Sequence, residues 1–144
     1  LSLQVASSGL DVFAHNIETV ERLTPEVRDR RASYHQSLGI LQSVKKKFPQ
    51  VLTKSSIMLG CGESIEEVYQ TMQDLRSCQV DLLTIGQYIQ PTKGNLKVKQ
   101  YIEPSIFVNL ELKAIQMGFK FAACGPLVRS SYKAGELFVK AMKK

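Results

Sequence analysis

The sequence is short of the residues that usually mark a metal or redox site. It has three cysteines, Cys61, Cys78 and Cys124, and two histidines, His15 and His35. No two cysteines stand at Cys-x-x-Cys or another metal spacing, and an odd number argues against a disulfide framework. Cys78 ends a helical pattern and Cys124 ends a strand pattern, so both read as buried thiols. Two histidines are too few for a zinc site of their own. No apolar run approaches the roughly 20 residues of a membrane span, and no membrane partner is expected. Walker loop, dinucleotide Gly-x-Gly-x-x-Gly and Ser-His-Asp patterns are all missing. No signal or transit peptide is visible at Leu1, and no methionine opens the chain, which therefore reads as a fragment or processed piece.

What is present is ordinary globular composition: 144 residues, 44% hydrophobic and 22% charged. With no linker in sight, residues 1–144 are expected to form a single domain. The formal charge is +6. Its clusters are Arg28-Asp29-Arg30-Arg31, Lys45-Lys46-Lys47 and Lys143-Lys144. They suit a solvated surface, and also an acidic protein partner or an anionic cofactor. Nucleic acid is not expected, because no basic stripe is interleaved with aromatics.

Periodicity gives the architecture. Residues 3–8 read as the end of a helix stopped by Gly9. Strands are expected near 10–14, 53–59, 81–86 and 119–124. Between them, Tyr34, Leu38, Leu41, Val44 and Phe48 mark an amphipathic helix over 33–48. Thr24-Pro25 reads as an N-cap with proline behind it. Ser64-Ile65-Glu66-Glu67 is a capping box opening a second helix. A long loop, 87–103, precedes a helix over 104–117 closed by Gly118, and a last helix covers 137–142. Strands alternating with helices predict an α/β fold with a parallel sheet. Ligands in such folds sit at the carboxyl ends of the strands. Those ends carry His15 to Thr19, Gly60 to Glu63, Gln87 to Pro91 and Gly125 to Tyr132, so every polar cluster falls on one rim.

Each cluster has a local reading. Asn16 and Glu18 suit a ribose diol, or else an Asx turn and a helix cap. Arg28 or Arg31 could clamp a carboxylate bidentately, or stay at the surface. Gly60 and Gly62 allow close approach of a flat ligand, or simply make a tight turn. Tyr88 lines a cavity or belongs to the core. Ser130 or Ser131 caps the last helix, beside the fixed charge of Arg129.

Four motifs carry a family resemblance. Gly125-Pro126-Leu127-Val128-Arg129-Ser130-Ser131-Tyr132-Lys133-Ala134-Gly135-Glu136 resembles the C-terminal signature of lipoyl synthases, a radical S-adenosylmethionine (SAM) family. His15-Asn16-Ile17-Glu18-Thr19, Ile57 to Glu63 and Thr84 to Thr92 resemble its ribose, adenine-side and following strand motifs. The resemblance implies the parallel β/α half of a partial TIM-type barrel. It gives Asn16 and Glu18 the SAM ribose, Arg28 (with Arg31 second) the methionine carboxylate, and Gly60 and Gly62 the adenine. Gln87, Tyr88, Arg129 and Tyr132 are expected to line the substrate cavity. Ser130, with Ser131 as the fallback, would ligate an auxiliary [4Fe–4S] cluster. Cys61 stands where many lipoyl synthases have leucine and is not expected to be a ligand.

The cofactors implied are two [4Fe–4S] clusters and S-adenosyl-L-methionine. The implied partners are an octanoylated lipoyl carrier domain or glycine-cleavage H protein, and iron–sulfur delivery proteins. The compartment is mitochondrial, with plastid or bacterial cytoplasm as alternatives. The family's Cys-x-x-x-Cys-x-x-Cys and its N-terminal cysteine trio are missing from this stretch. The chain therefore reads as a C-terminal half that does not catalyse alone. The alternative is a non-catalytic β/α nucleotide-binding fragment or pseudoenzyme.

Overall fold

The computed structural model describes residues 4–5 and 11–128. The expectations for Arg129, Ser130, Ser131, Tyr132 and the last helix lie outside those residues.

Four parallel strands carry the fold: β2 (Asp11–Ala14), β3 (Leu52–Leu59), β4 (Leu82–Gln87) and β5 (Phe121–Cys124). They lie side by side in chain order. A short edge strand, β1 (Gln4–Val5), pairs antiparallel with β2. This corrects the helix expected over 3–8. Leu3-Gln4-Val5 alternates apolar and polar, which suits a strand as well as a helix end, and the open edge of β2 decides between them.

The helices are α1 (Thr24–Val27), α2 (Tyr34–Lys47), α3 (Ile65–Ser77) and α4 (Pro104–Met117). A 3-10 turn, Glu21–Leu23, precedes α1. Ser33 caps α2 by accepting from the Gln36 N–H at 3.0 Å. The capping box on α3 is present with both of its bonds. Gly118 closes α4 at φ 106°, in the left-handed region where a side chain is strained. Thr24 differs from expectation. Its hydroxyl donates back to the Val20 carbonyl at 3.1 Å and does not cap.

Alternation along the strands sorts the two faces. Phe13, Ile57, Leu59, Leu83 and Ile85 pack with Leu41 and Val44 of α2, Val68, Met72 and Leu75 of α3, and Phe107 and Leu110 of α4. All three long helices thus cover one face. The intervening residues Val12, Leu52, Leu82 and Phe121 form a small apolar cluster on the other. Lys54 lies level with Leu82, and above them in register come the pair Ser56–Thr84 and the pair Met58–Gly86. Sequential strands with helices on one side are the winding of a barrel, not of a doubly wound sheet.

The amino-terminal rim is tied at Asp81. Its Oδ2 accepts from Lys45 Nζ at 2.7 Å and from the Thr53 N–H at 2.9 Å. Its backbone bonds Thr53 and Lys120 as well. Lys45 also donates to the Val51 carbonyl, at 2.9 Å. One carboxylate, with its side chain 5% exposed, therefore joins α2, β3, β4 and the entry to β5. Asp81→Ala would leave the Lys45 ammonium buried without its counter-charge. It is expected to cost about 3 kcal/mol in urea unfolding of the full-length protein. Arg31→Ala, at the surface, should stay within about 0.5 kcal/mol.

Candidate functional site

The site is built where β2 runs out. Ala14 pairs with Lys54, and Glu18 then bridges to Ile57, so the first chain advances one residue further than its partner. The extra residue makes a bulge. Its spare Ile17 N–H is taken by the Ser55 hydroxyl at 2.9 Å. The Thr19 N–H then closes back on the Ile17 carbonyl at 2.9 Å, around Glu18 at φ 72°. This is the rare and strained hand of the γ-turn. Strain of this kind costs on the order of 1–3 kcal/mol and persists only where the surroundings enforce it. Here they do: the Glu18 N–H donates to Ser56 at 2.9 Å, and its carbonyl accepts from Met58 at 2.7 Å.

The side chain of Glu18 ends in Oε1, which is buried and has no hydrogen-bond partner among the described residues. Burial raises its pKa, against the opposing pull of Arg28 and Lys54. Those two cations, with His15, complete the cluster. Lys54 is 3% exposed on the inner face, its pKa lowered by burial and partly restored by Glu18. Arg28 Nη1 donates to Ser37 Oγ at 2.8 Å, and His15 Nε2 lies 3.1 Å from the same oxygen. Burial, then Arg28, lowers the His15 pKa, which favours the neutral ring. Thr84, 1% exposed on the inner face, also has a hydroxyl without a partner among the described residues.

The predicted residues thus divide. Asn16, Glu18 and Arg28 gather at the end of β2. Arg31 does not join them: its side chain is 93% exposed and pairs with Asp29 at 3.3 Å. Gly60 and Gly62 adopt φ 104° and 106°, so the turn itself requires them. A Cβ on Gly60 would overlap the Gln100 carbonyl and the Gln87 amide, so the close approach at Gly60 is by the protein's own chain. Glu63 pins this turn through the Gly60 and Cys61 N–H groups, both at 3.0 Å.

Gln87 and Tyr88 spend their polar atoms on the long loop. Gln87 holds the Gln100 carbonyl and the Ile102 N–H, at 3.0 and 2.9 Å. The Tyr88 hydroxyl donates to Leu96 at 2.7 Å while its ring sits in the helix-side core. Both anchor the loop.

At the last strand, a Cβ on Gly86 would overlap the Val128 carbonyl oxygen. The chain after β5 therefore folds over the inner face at Val128.

Sequence reasoning missed Ser37, Lys54 and Thr84. Lys54 had a signal: a charged residue in the middle of a strand pattern. Ser37 had none, being one polar residue on an amphipathic helix.

The side chains at the end of β2 suit a ligand that carries hydroxyls and a carboxylate. A buried, unpartnered carboxylate oxygen beside an arginine suits a ribose hydroxyl and a carboxylate. Among the described residues no three His, Cys, Asp or Glu side chains gather to hold a metal. Burial, with a smaller push from Glu63, raises the Cys61 thiol to about 12, which suits an apolar role in the turn. Cys124 is likewise raised to about 12, chiefly by burial.

Compared with models of known protein families, the chain matches none. Curated proteins do match. It is 60% identical over 140 residues to the mitochondrial lipoyl synthase of Aedes aegypti, covering 97% of this chain and 36% of that protein. It is 61% identical over 136 residues to that of Branchiostoma floridae, covering 94% and 36%. It is 54% identical over 140 residues to that of Saccharomyces cerevisiae strain YJM789, covering 97% and 34%. The chain spans about a third of the length of these relatives. Strand order, one-sided helices and the rim define a sector of a parallel β/α fold, consistent with part of a β/α barrel. In sequence, the chain is similar to a part of mitochondrial lipoyl synthases.

The raised pKa of Glu18 sets a pH dependence. A carboxyl that holds its proton more tightly when folded favours folding at low pH, and that contribution is lost as pH rises through its folded value. Glu18→Gln should therefore unfold at higher denaturant than wild type at pH 7. The gain should shrink as pH falls toward the ordinary value of 4.5. Denaturant midpoints across that range check it.

Proposed function

We propose that this chain supplies the SAM-facing wall and part of the substrate cavity of a lipoyl synthase. When bound in the whole enzyme, SAM and two [4Fe–4S] clusters supply the radical and the sulfur that convert a carrier-bound octanoyl group to lipoyl, at C6 and C8. The compartment is the mitochondrion, as for the relatives. The chain's own work is binding and orientation. Glu18 accepts from the ribose hydroxyls, with Asn16 beside it, and Arg28 meets the methionine carboxylate. Lys54, Ser56 and Thr84 give the inner face its polar middle, above an apolar floor of Val12, Leu52, Leu82 and Phe121.

One observation carries this reading: the buried Glu18 oxygen without a partner among the described residues, held by a strained turn beside a half-buried arginine. Calorimetry on full-length protein tests it. Asn16→Ala with Glu18→Ala should weaken SAM binding at least about ten-fold. Unchanged affinity would remove the assignment.

The strap over Gly60 suits the carrier. Leu96 and Val98 pack inward while Lys93, Lys97 and Lys99 stand exposed. A row of ammonium groups steers an acidic protein surface. Replacing the three by glutamate should weaken carrier binding at low salt, and added salt should narrow the difference. Equal affinities at low salt would count against this surface.

A further inference from the structure

Arg28 is close enough to pull on the Glu18 carboxyl, yet no ion pair joins them among the described residues. That separation needs a cause, because a half-buried guanidinium beside a carboxylate gains by closing on it. Glu18 is fixed through its backbone. Arg28 is fixed through its side chain, and the fixing group is Ser37, 2% exposed on α2. The Ser37 oxygen accepts from Arg28. Its own proton then needs an acceptor, and His15 Nε2, 3.1 Å away, supplies one. The His15 ring lies flat against Phe13, with planes 5° apart, so its nitrogen is aimed by packing. Nη1 is the one guanidinium nitrogen with a hydrogen bond among the described residues. The rest of the fork stays available to a ligand.

We propose that Ser37 and His15 are positioning residues that hold the Arg28 guanidinium off Glu18, leaving both free for the two ends of one zwitterionic nucleoside ligand. The proposal rests on the SAM reading above. Without the tether, Arg28 closes on Glu18, and the carboxylate site and the hydroxyl site quench each other. With it, the site is preorganised and the ligand does not have to break an ion pair to enter. Ser37→Thr keeps the hydroxyl, whereas Ser37→Ala removes it.

The test is calorimetry on full-length, cluster-loaded protein with two probes, S-adenosyl-L-methionine and its decarboxylated analogue. Wild type should prefer the carboxylate-bearing ligand. Ser37→Ala should reduce that preference about ten-fold, and Ser37→Thr should restore it. Preference unchanged in Ser37→Ala overturns the proposal. So does a loss that Ser37→Thr does not restore, which would make Ser37 a packing residue. If Ser37→Ala does not fold, His15→Phe, which keeps the ring, is read in the same way. A wild type that binds neither probe, or both equally, overturns the SAM reading itself and is thereby distinguished from failure of the tether alone.

Discussion

The clamp of Glu18 on β3 is the contact from which the site follows. Both backbone groups of Glu18 bond the central strand, at Ser56 and Met58, and this is what sustains a γ-turn that few side chains tolerate. The extra residue in the bulge aims Glu18 away from the regular pleat. Loosening β3 would therefore relax the turn, and the carboxylate would lose its place. The strain is local, but its support is the register of the whole parallel sheet.

That sheet is one-sided. Parallel strands occur with both faces covered, and here the described helices cover one. The other face changes character with height: apolar at Val12, Leu52, Leu82 and Phe121, then polar at Lys54, Ser56 and Thr84, then open at Gly86. A core-only face would have continued in valine and leucine. The Val128 carbonyl above Gly86 shows that backbone, with no side chain between, closes part of this face. A glycine is needed there because any Cβ would displace the segment that follows β5.

Much of the fold was legible because its signals are local. The Ser64–Glu67 box, Gly118 and the apolar spacing of α2 and α3 each act within a turn or two of helix, and each formed as read. The rim was legible as a place, since strand ends can be counted. What each rim residue does was less so. Gly60 and Gln87 read as ligand contacts, yet they meet each other and the strap, a pairing between residues far apart in sequence. Arg28 and Arg31 look alike in sequence, and only the position of Ser37 and Asp29 separates them. The edge strand at Gln4–Val5 depends on the open side of β2, which no local pattern encodes.

The two rims divide the labour by how their charges are arranged. At the amino-terminal rim Asp81 meets Lys45, Thr53 and, at 3.8 Å, Lys120; its charge is matched among the described residues, so the knot contributes stability. At the carboxyl-terminal rim Glu18 feels the charges of both Arg28 and Lys54, but no ion pair joins it to Arg28 among the described residues. An incompletely paired cluster costs free energy in a low-dielectric setting. The raised Glu18 pKa and the lowered Lys54 pKa are that cost expressed in protons. A ligand carrying hydroxyls and a carboxylate would complete the pairing that the fold leaves undone. The tied rim lets the sheet tolerate the untied one, because strain at Glu18 can be held only by strands whose other ends do not move.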